Sequence, residues 1–245
     1  TNSGTLALSG STKYLNGRTL VNAGTANWSG GALAFQNVAV FENRPGATFT
    51  VETIAAMDDY GGTGSRNFNN AGTLTKSGGA GTTYISVALN NTGTVNVHTA
   101  TLSLQGGGAD SGAFDTASGA VLEFWGGTHS LGDGVTFTGA GTARTTGGTV
   151  NTTGSGVGAV VNAGATFNLQ GGTLGGAGSL TLNGTFNWTG GTITGTGGLT
   201  SNGALALSGS TKYLNGRTLV NAGTINWTGG SVSLLNAGVI ENGPG

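Results

Sequence analysis

The chain predicts an all-β fold, a single parallel β-solenoid whose triangular coils hold about 19–26 residues each. Three observations predict it. Glycine is 52 of 245 residues and charged residues are only 7%, against roughly 25% charged in an average domain. A glycine followed by a short strand-like run recurs about every 22 residues, a period that belongs to solenoids or propellers. The seventeen residues Ser9–Thr25, SGSTKYLNGRTLVNAGT, return unchanged as Ser208–Thr224, 199 residues later.

The short period comes first. Its anchors are Gly4, Gly24, Gly46, Gly72, Gly93, Gly119, Gly141, Gly164, Gly184, Gly203, Gly223 and Gly245. Nine such steps separate Gly4 from Gly203, so the long repeat reads as nine coils. A Gly-Gly pair often follows within the step, at 30–31, 78–79, 126–127, 147–148, 171–172, 190–191 and 229–230. Before it, apolar residues alternate with polar ones, as in Ala26/Trp28, Leu122/Phe124, Phe167/Leu169, Phe186/Trp188 and Ile225/Trp227. That two-residue period marks a strand with one buried face. A second strand follows the pair (Leu33, Val150, Leu174, Ile193, Val232), and a third leads to the next anchor (Leu20-Val21, Val160-Val161, Leu180/Leu182, Leu219-Val220).

No strand in such a step buries a core alone, so each coil must bond to those above and below it. Asn2, Asn22, Asn70, Asn91, Asn162 and Asn221 each stand two residues before an anchor. Stacked at a corner, they predict an amide ladder along the axis. Tryptophans of the Trp28 type are expected in a column inside the prism. A propeller is disfavoured, because its blades need about 40–50 residues. The two 26-residue steps, Gly46–Gly72 and Gly93–Gly119, carry extra sequence. Lys76 and Thr145 stand where inward apolar residues belong, which predicts a local shift of register there.

Residues 1–245 therefore read as one continuous segment, with the long repeat spanning 4–202 and resuming at 203. The interrupted second copy predicts a fragment of a longer array. The pattern Asn-x-Gly-Thr-φ-x-φ-x-Gly-Gly-Thr-φ, with φ apolar, resembles the β-strand repeats of large bacterial surface proteins, the autotransporter passengers and filamentous-haemagglutinin-type adhesins. The resemblance implies secretion, a right-handed single-stranded parallel β-helix and a role in adhesion, biofilm or a surface fibre. It carries over no catalytic residue.

Function classes narrow further. A net charge of −1 leaves no electrostatic footprint for nucleic acid. The absence of cysteine excludes disulfides and thiolate metal sites. No apolar run approaches the length of a membrane-spanning helix. Carboxylate chemistry of the lyase or hydrolase kind would need convergent acids. Asp58, Asp59, Asp110 and Asp115, with Arg66, all lie in the two long steps and offer an outer-face patch, against the plainer reading as solvated loop. His98 and His129 lack ligand spacing and read as exposed polar strand residues. Trp28, Trp188 and Trp227 read as core, not as sugar platforms. Lys13/Lys212, Arg18/Arg217 and Glu42/Glu241 recur at the long period and are expected to pair across coils.

The sequence thus predicts no catalytic, cofactor-binding or metal site. It predicts an extracellular structural rod at the bacterial cell surface, part of a fibre, sheath or adhesin stalk, rather than an enzyme. A glycan-binding adhesin module is the alternative. End-to-end or lateral self-association is expected, with surface glycans as further partners and no nucleic acid.

Overall fold

The computed structural model describes residues 1–243. The anchor expected at Gly245 lies outside the described residues. The strands are short, mostly of four residues, and three parallel sheets run the length of the molecule. The first face has twelve strands, starting from β1 (Thr5–Leu8), β4 (Thr25–Trp28) and β7 (Thr48–Val51). The second has eleven, starting from β2 (Lys13–Asn16), β5 (Leu33–Gln36) and β8 (Met57–Asp59). The third also has eleven, starting from β3 (Thr19–Asn22), β6 (Ala39–Asn43) and β9 (Arg66–Asn70). Each strand pairs with the strands three before and three after it, as a three-faced parallel solenoid requires.

The two-residue alternation works as expected. Phe186 and Trp188, Phe167 and Leu169, and Leu122 and Phe124 are all fully buried, with Asn187, Asn168 and Glu123 between them on the outer side. Inside, aromatic rings stack coil on coil, Phe41 on Phe68 at 5.1 Å and Phe114 on Phe137 at 5.3 Å. Each such ring contributes about 2–3 kcal/mol by leaving water.

Two glycine classes explain the corners. In six of the seven Gly-Gly pairs the second glycine has φ between 65° and 74°, as at Gly31 and Gly172, the left-handed region that costs a side chain most. The anchors answer to a different constraint. A Cβ on Gly93 would lie 2.1 Å from the Gly72 carbonyl oxygen, and one on Gly203 would lie 2.0 Å from that of Gly184. At Gly24, Gly72, Gly93, Gly141, Gly184, Gly203 and Gly223 successive coils touch through backbone and leave no room for a Cβ, whereas Gly46, Gly119 and Gly164 have open space around them and φ of 79–87°.

The amide ladder is present. Asn2 donates to Asn22, Asn22 to Asn43, Asn43 to Asn70 and Asn70 to Asn91, at 2.7–2.9 Å. The second amide proton of each rung goes to a carbonyl of the adjoining coil, for example Asn22 to Thr48 and Asn70 to Thr94. Asn43 joins although its anchor lies three residues on. Asn162, expected on a ladder, has no amide partner of this kind among the described residues.

Three expectations need correction. First, the step from Gly93 to Gly119 is not one coil. It holds four strands, β13 (Thr94–Val97), β14 (Thr101–Leu104), β15 (Gly108–Asp110) and β16 (Ala113–Thr116). The extra strand moves the anchor glycines from the corner before the first face to the corner before the second. The long repeat therefore spans 28 strands, from β4 to β32 (Thr224–Trp227), one more than nine full turns. The repeated sequence returns rotated by one face, with β4 on the first face and β32 on the second.

Second, the tryptophans form no single column, because Trp28 lies on the first face and Trp188 and Trp227 on the second. Trp28 and Trp188 are buried, but Trp227, on the last coil, is 54% exposed.

Third, no register shift occurs at Lys76 or Thr145. Lys76 pairs in sequence with Val51 and Val97, and Thr145 with Phe124 and Leu169. Coil length varies instead at the corners, from 19 residues (Thr94 to Ala113) to 28 (Met57 to Ile85).

Candidate functional site

The acidic residues that could have formed a patch are dispersed over all three faces. Asp58 and Asp59 lie on β8 of the second face, Asp110 on β15 of the third and Asp115 on β16 of the first. Asp59 forms an ion pair with Arg66 and accepts a hydrogen bond from the Gly61 amide at 2.8 Å. Asp115 accepts from the Thr138 hydroxyl at 2.6 Å. Asp58 is half-buried, which raises its carboxyl above the usual range. Convergent acid–base geometry is therefore not assembled from these residues.

His98 is exposed, as expected, but His129 is not. It sits on β18 (Thr128–Leu131) two residues before the buried Leu131, so the strand alternation turns it inward. Its ring meets Phe124 edge-on, with centroids 4.8 Å apart. Its Nδ1 is 3.9 Å from Oδ2 of Asp110, and both side chains are sealed from solvent. Burial pushes the Asp110 carboxyl up to about 7, against the Asn91 amide that donates to it at 3.2 Å. Burial pushes the imidazole down to about 4, while the Gly126 and Leu104 carbonyls pull the other way. Near neutrality the imidazole is uncharged and the carboxyl half-protonated. A shallow depression of about 270 Å³ lies outside this corner, lined by Thr92, Ala109, Asp110, Ser111, Ser130, Gly132 and Thr153. The Asp110 side chain presents no surface to it.

Among the described residues the recurring cations do not pair with acids. Lys212 is buried and donates to the carbonyls of Ser208 and Ser210 at 2.7 and 2.9 Å. Lys76 reaches the carbonyls of Gly78 and Gly79 from its inward position. Arg217 is 2% exposed and caps carbonyls of Gly197, Thr194, Gly198 and Gly178 at 2.9–3.4 Å, spanning three coils. Burial lowers its guanidinium to about 10. Glu42 forms no ion pair among the described residues. The sequence predicts pairing across coils for Lys212 and Arg217 because lysine and arginine usually stay wet; glycine corners crowded with carbonyls reverse that preference.

One polar network was missed. Glu123, outward on β17 (Val121–Phe124), accepts from Arg144 at 2.8 Å, from Ser103 at 2.9 Å and from Thr146 at 3.2 Å. Its signal was present, since the register sets Ser103, Glu123 and Arg144 side by side on successive coils.

Among the described residues no group of three or more His, Cys, Asp and Glu is placed to hold a metal ion. Among them, too, no helix is long and apolar enough to cross a membrane. No protein-family model, curated protein or solved structure matches the chain.

Proposed function

We propose that the chain is a structural rod segment of a secreted bacterial surface fibre, sheath or adhesin stalk. The observation that carries this reading is the seamless stacking of the duplicated unit. Its second copy continues all three sheets in register, β29 (Ala204–Leu207) on β26 (Thr185–Trp188) and β32 on β29, without a break or a cap between copies. A sequence that adds coils by duplication extends a rod by about 4.8 Å per coil, and nothing in that growth requires a reactive site.

Taken on their own, residues 1–245 leave strand edges open at both outer coils, and the coil with β32 exposes Trp227, Leu234, Leu235 and Val239, surface on which another copy of the segment can add. Residues 1–245 expressed alone should polymerise or aggregate, as light scattering would register; a clean monomer at high concentration would count against this. The functional reading is tested by immunogold labelling of intact and sectioned producing cells with antibody to this segment. Labelled filaments or a labelled surface layer are expected, and a signal confined to the cell interior would refute it.

A further inference from the structure

Three of the four tyrosines of the chain lie on the second face within its first four coils. Tyr14 on β2 is 62% exposed, Tyr60 just after β8 is 51% exposed and Tyr84 on β11 (Thr82–Ile85) is 41% exposed. Beyond them the outward strand positions of this face carry Ser103, Glu123, Arg144, Asn168 and Asn187, and one further exposed aromatic, Trp125, follows the strand that holds Glu123.

The register arranges the tyrosines. Tyr14 is opposite Ala34, and Ala34 is opposite Asp58. Tyr60 follows Asp58 by two residues and so shares its side of the strand. The Tyr14 and Tyr60 rings meet edge-to-face, with centroids 6.1 Å apart, and Ala34 between their coils is fully covered. Tyr14 and Tyr84 stand three coil spacings apart, about 14 Å along the axis. Asp59 is occupied by Arg66, whereas Asp58 has no ion-pair partner among the described residues.

We propose that Tyr14, Tyr60 and Tyr84, with the Asp58 carboxylate among them, form a stacking platform for a neutral or amino-sugar glycan lying along the rod. Phenol rings offer rigid, amphipathic faces to the C–H side of pyranose rings at small entropic cost. A carboxylate accepts from sugar hydroxyls and repels uronic acids. The surroundings lack the continuous apolar patch that a protein interface places at its centre: Ala34 and Asp58 lie between the rings, and the exposed Ile54 stands at the preceding corner. This inference goes beyond the rod reading and does not depend on it.

The molecule carries its own control. Tyr213 occupies the same Lys-Tyr-Leu-Asn context, but the rotation of the repeat sets it on the third face, opposite Thr192 and Ser233, without a second tyrosine. With coils on both sides it is still 42% exposed, so exposure alone does not distinguish the two positions.

The test titrates residues 1–245 with chitohexaose, cellohexaose and an oligogalacturonate by calorimetry and saturation-transfer NMR. Saturable binding of a neutral or amino-sugar oligomer is expected. Tyr14→Ala and Tyr60→Ala should each weaken it about tenfold, equivalent to about 1.4 kcal/mol. Tyr213→Ala should leave it unchanged, with circular dichroism showing all variants folded. Four results would overturn the proposal: no saturable binding of any oligomer, preference for the oligogalacturonate, equal loss in Tyr213→Ala, or a Tyr14/Tyr60 double variant that changes self-association but not sugar binding.

Discussion

Arg217 shows how completely environment decides what a residue does here. Arg18 has the same neighbours in sequence but sits exposed on the end coil, while Arg217 is buried against carbonyls of the two preceding coils. Replacing Arg217 with Ala strips charged donors from buried carbonyls and should cost about 2–4 kcal/mol. Arg18→Ala should cost about 0–0.5 kcal/mol. Urea unfolding of the two variants checks the contrast.

Asp110 and His129 give a second residue-scale test. Asp110 is raised from 3.8 to about 7, so alone it stabilises at low pH and loses that contribution as pH rises through about 7. His129 is lowered from 6.5 to about 4, so alone it stabilises above 6.5 and loses that contribution as pH falls through about 4. Between those limits the folded pair holds one proton on the carboxyl, and the unfolded pair holds one on the imidazole. Their effects cancel, and the pair adds no pH slope from about 4 to 6.5 in the intact protein. In His129→Phe, stability should fall with rising pH over that range by about 1.4 kcal/mol per unit. In Asp110→Asn it should rise by a similar amount. Urea midpoints at three pH values would show both slopes; parallel profiles in the two variants would rule the assignment out.

At the scale of the strand and its corner, the unit of this protein is one strand and one turn. Gly203→Ala would press a Cβ to within 2.0 Å of the Gly184 oxygen, a contact only a backbone shift relieves. We expect a loss of about 2–4 kcal/mol. Asn70→Ala removes a rung that bonds Asn43, Asn91 and Thr94, and should cost about 2 kcal/mol. Thermal melts of the two variants check both.

Much of this level was legible in sequence. The Phe186/Trp188 alternation gave the inward face, and the Gly-Gly pairs gave the corners. The strand at Gly108–Asp110 escaped notice because Gly106-Gly107-Gly108 reads as one corner; its identity comes from pairing with His129–Leu131, a long-range fact. His129 itself was readable, since it alternates with Leu131, but histidine in a thin apolar shaft runs against composition. Strand alternation alone puts Lys76 at an inward position, and what the sequence hides is the cradle of carbonyls that accepts its ammonium. No candidate site emerged from the acids because their sequence neighbourhood straddles an extra strand, which sends them to different faces. The meeting of Tyr14 and Tyr60 was hidden for a related reason, since the two rings come together only once coil lengths are known.

For the whole molecule, the consequence of a strand-sized unit is that duplication need not respect whole turns. A repeat of 28 strands turns its second copy by one face, and the three faces accept it because their corners follow the same rules. Trp227 still donates its indole N–H to Gly230, as Trp28 does to Gly31, on a different sheet. The rotation is tested by cysteine cross-linking in a chain that has no cysteine of its own. Thr192 and Tyr213 are opposite one another on the third face, at a spacing a disulfide can bridge, so the T192C/Y213C pair should oxidise readily while N187C/Y213C should not. Rapid closure of the second pair and none of the first would mean that the second copy returns to the face of the first, and would contradict the account.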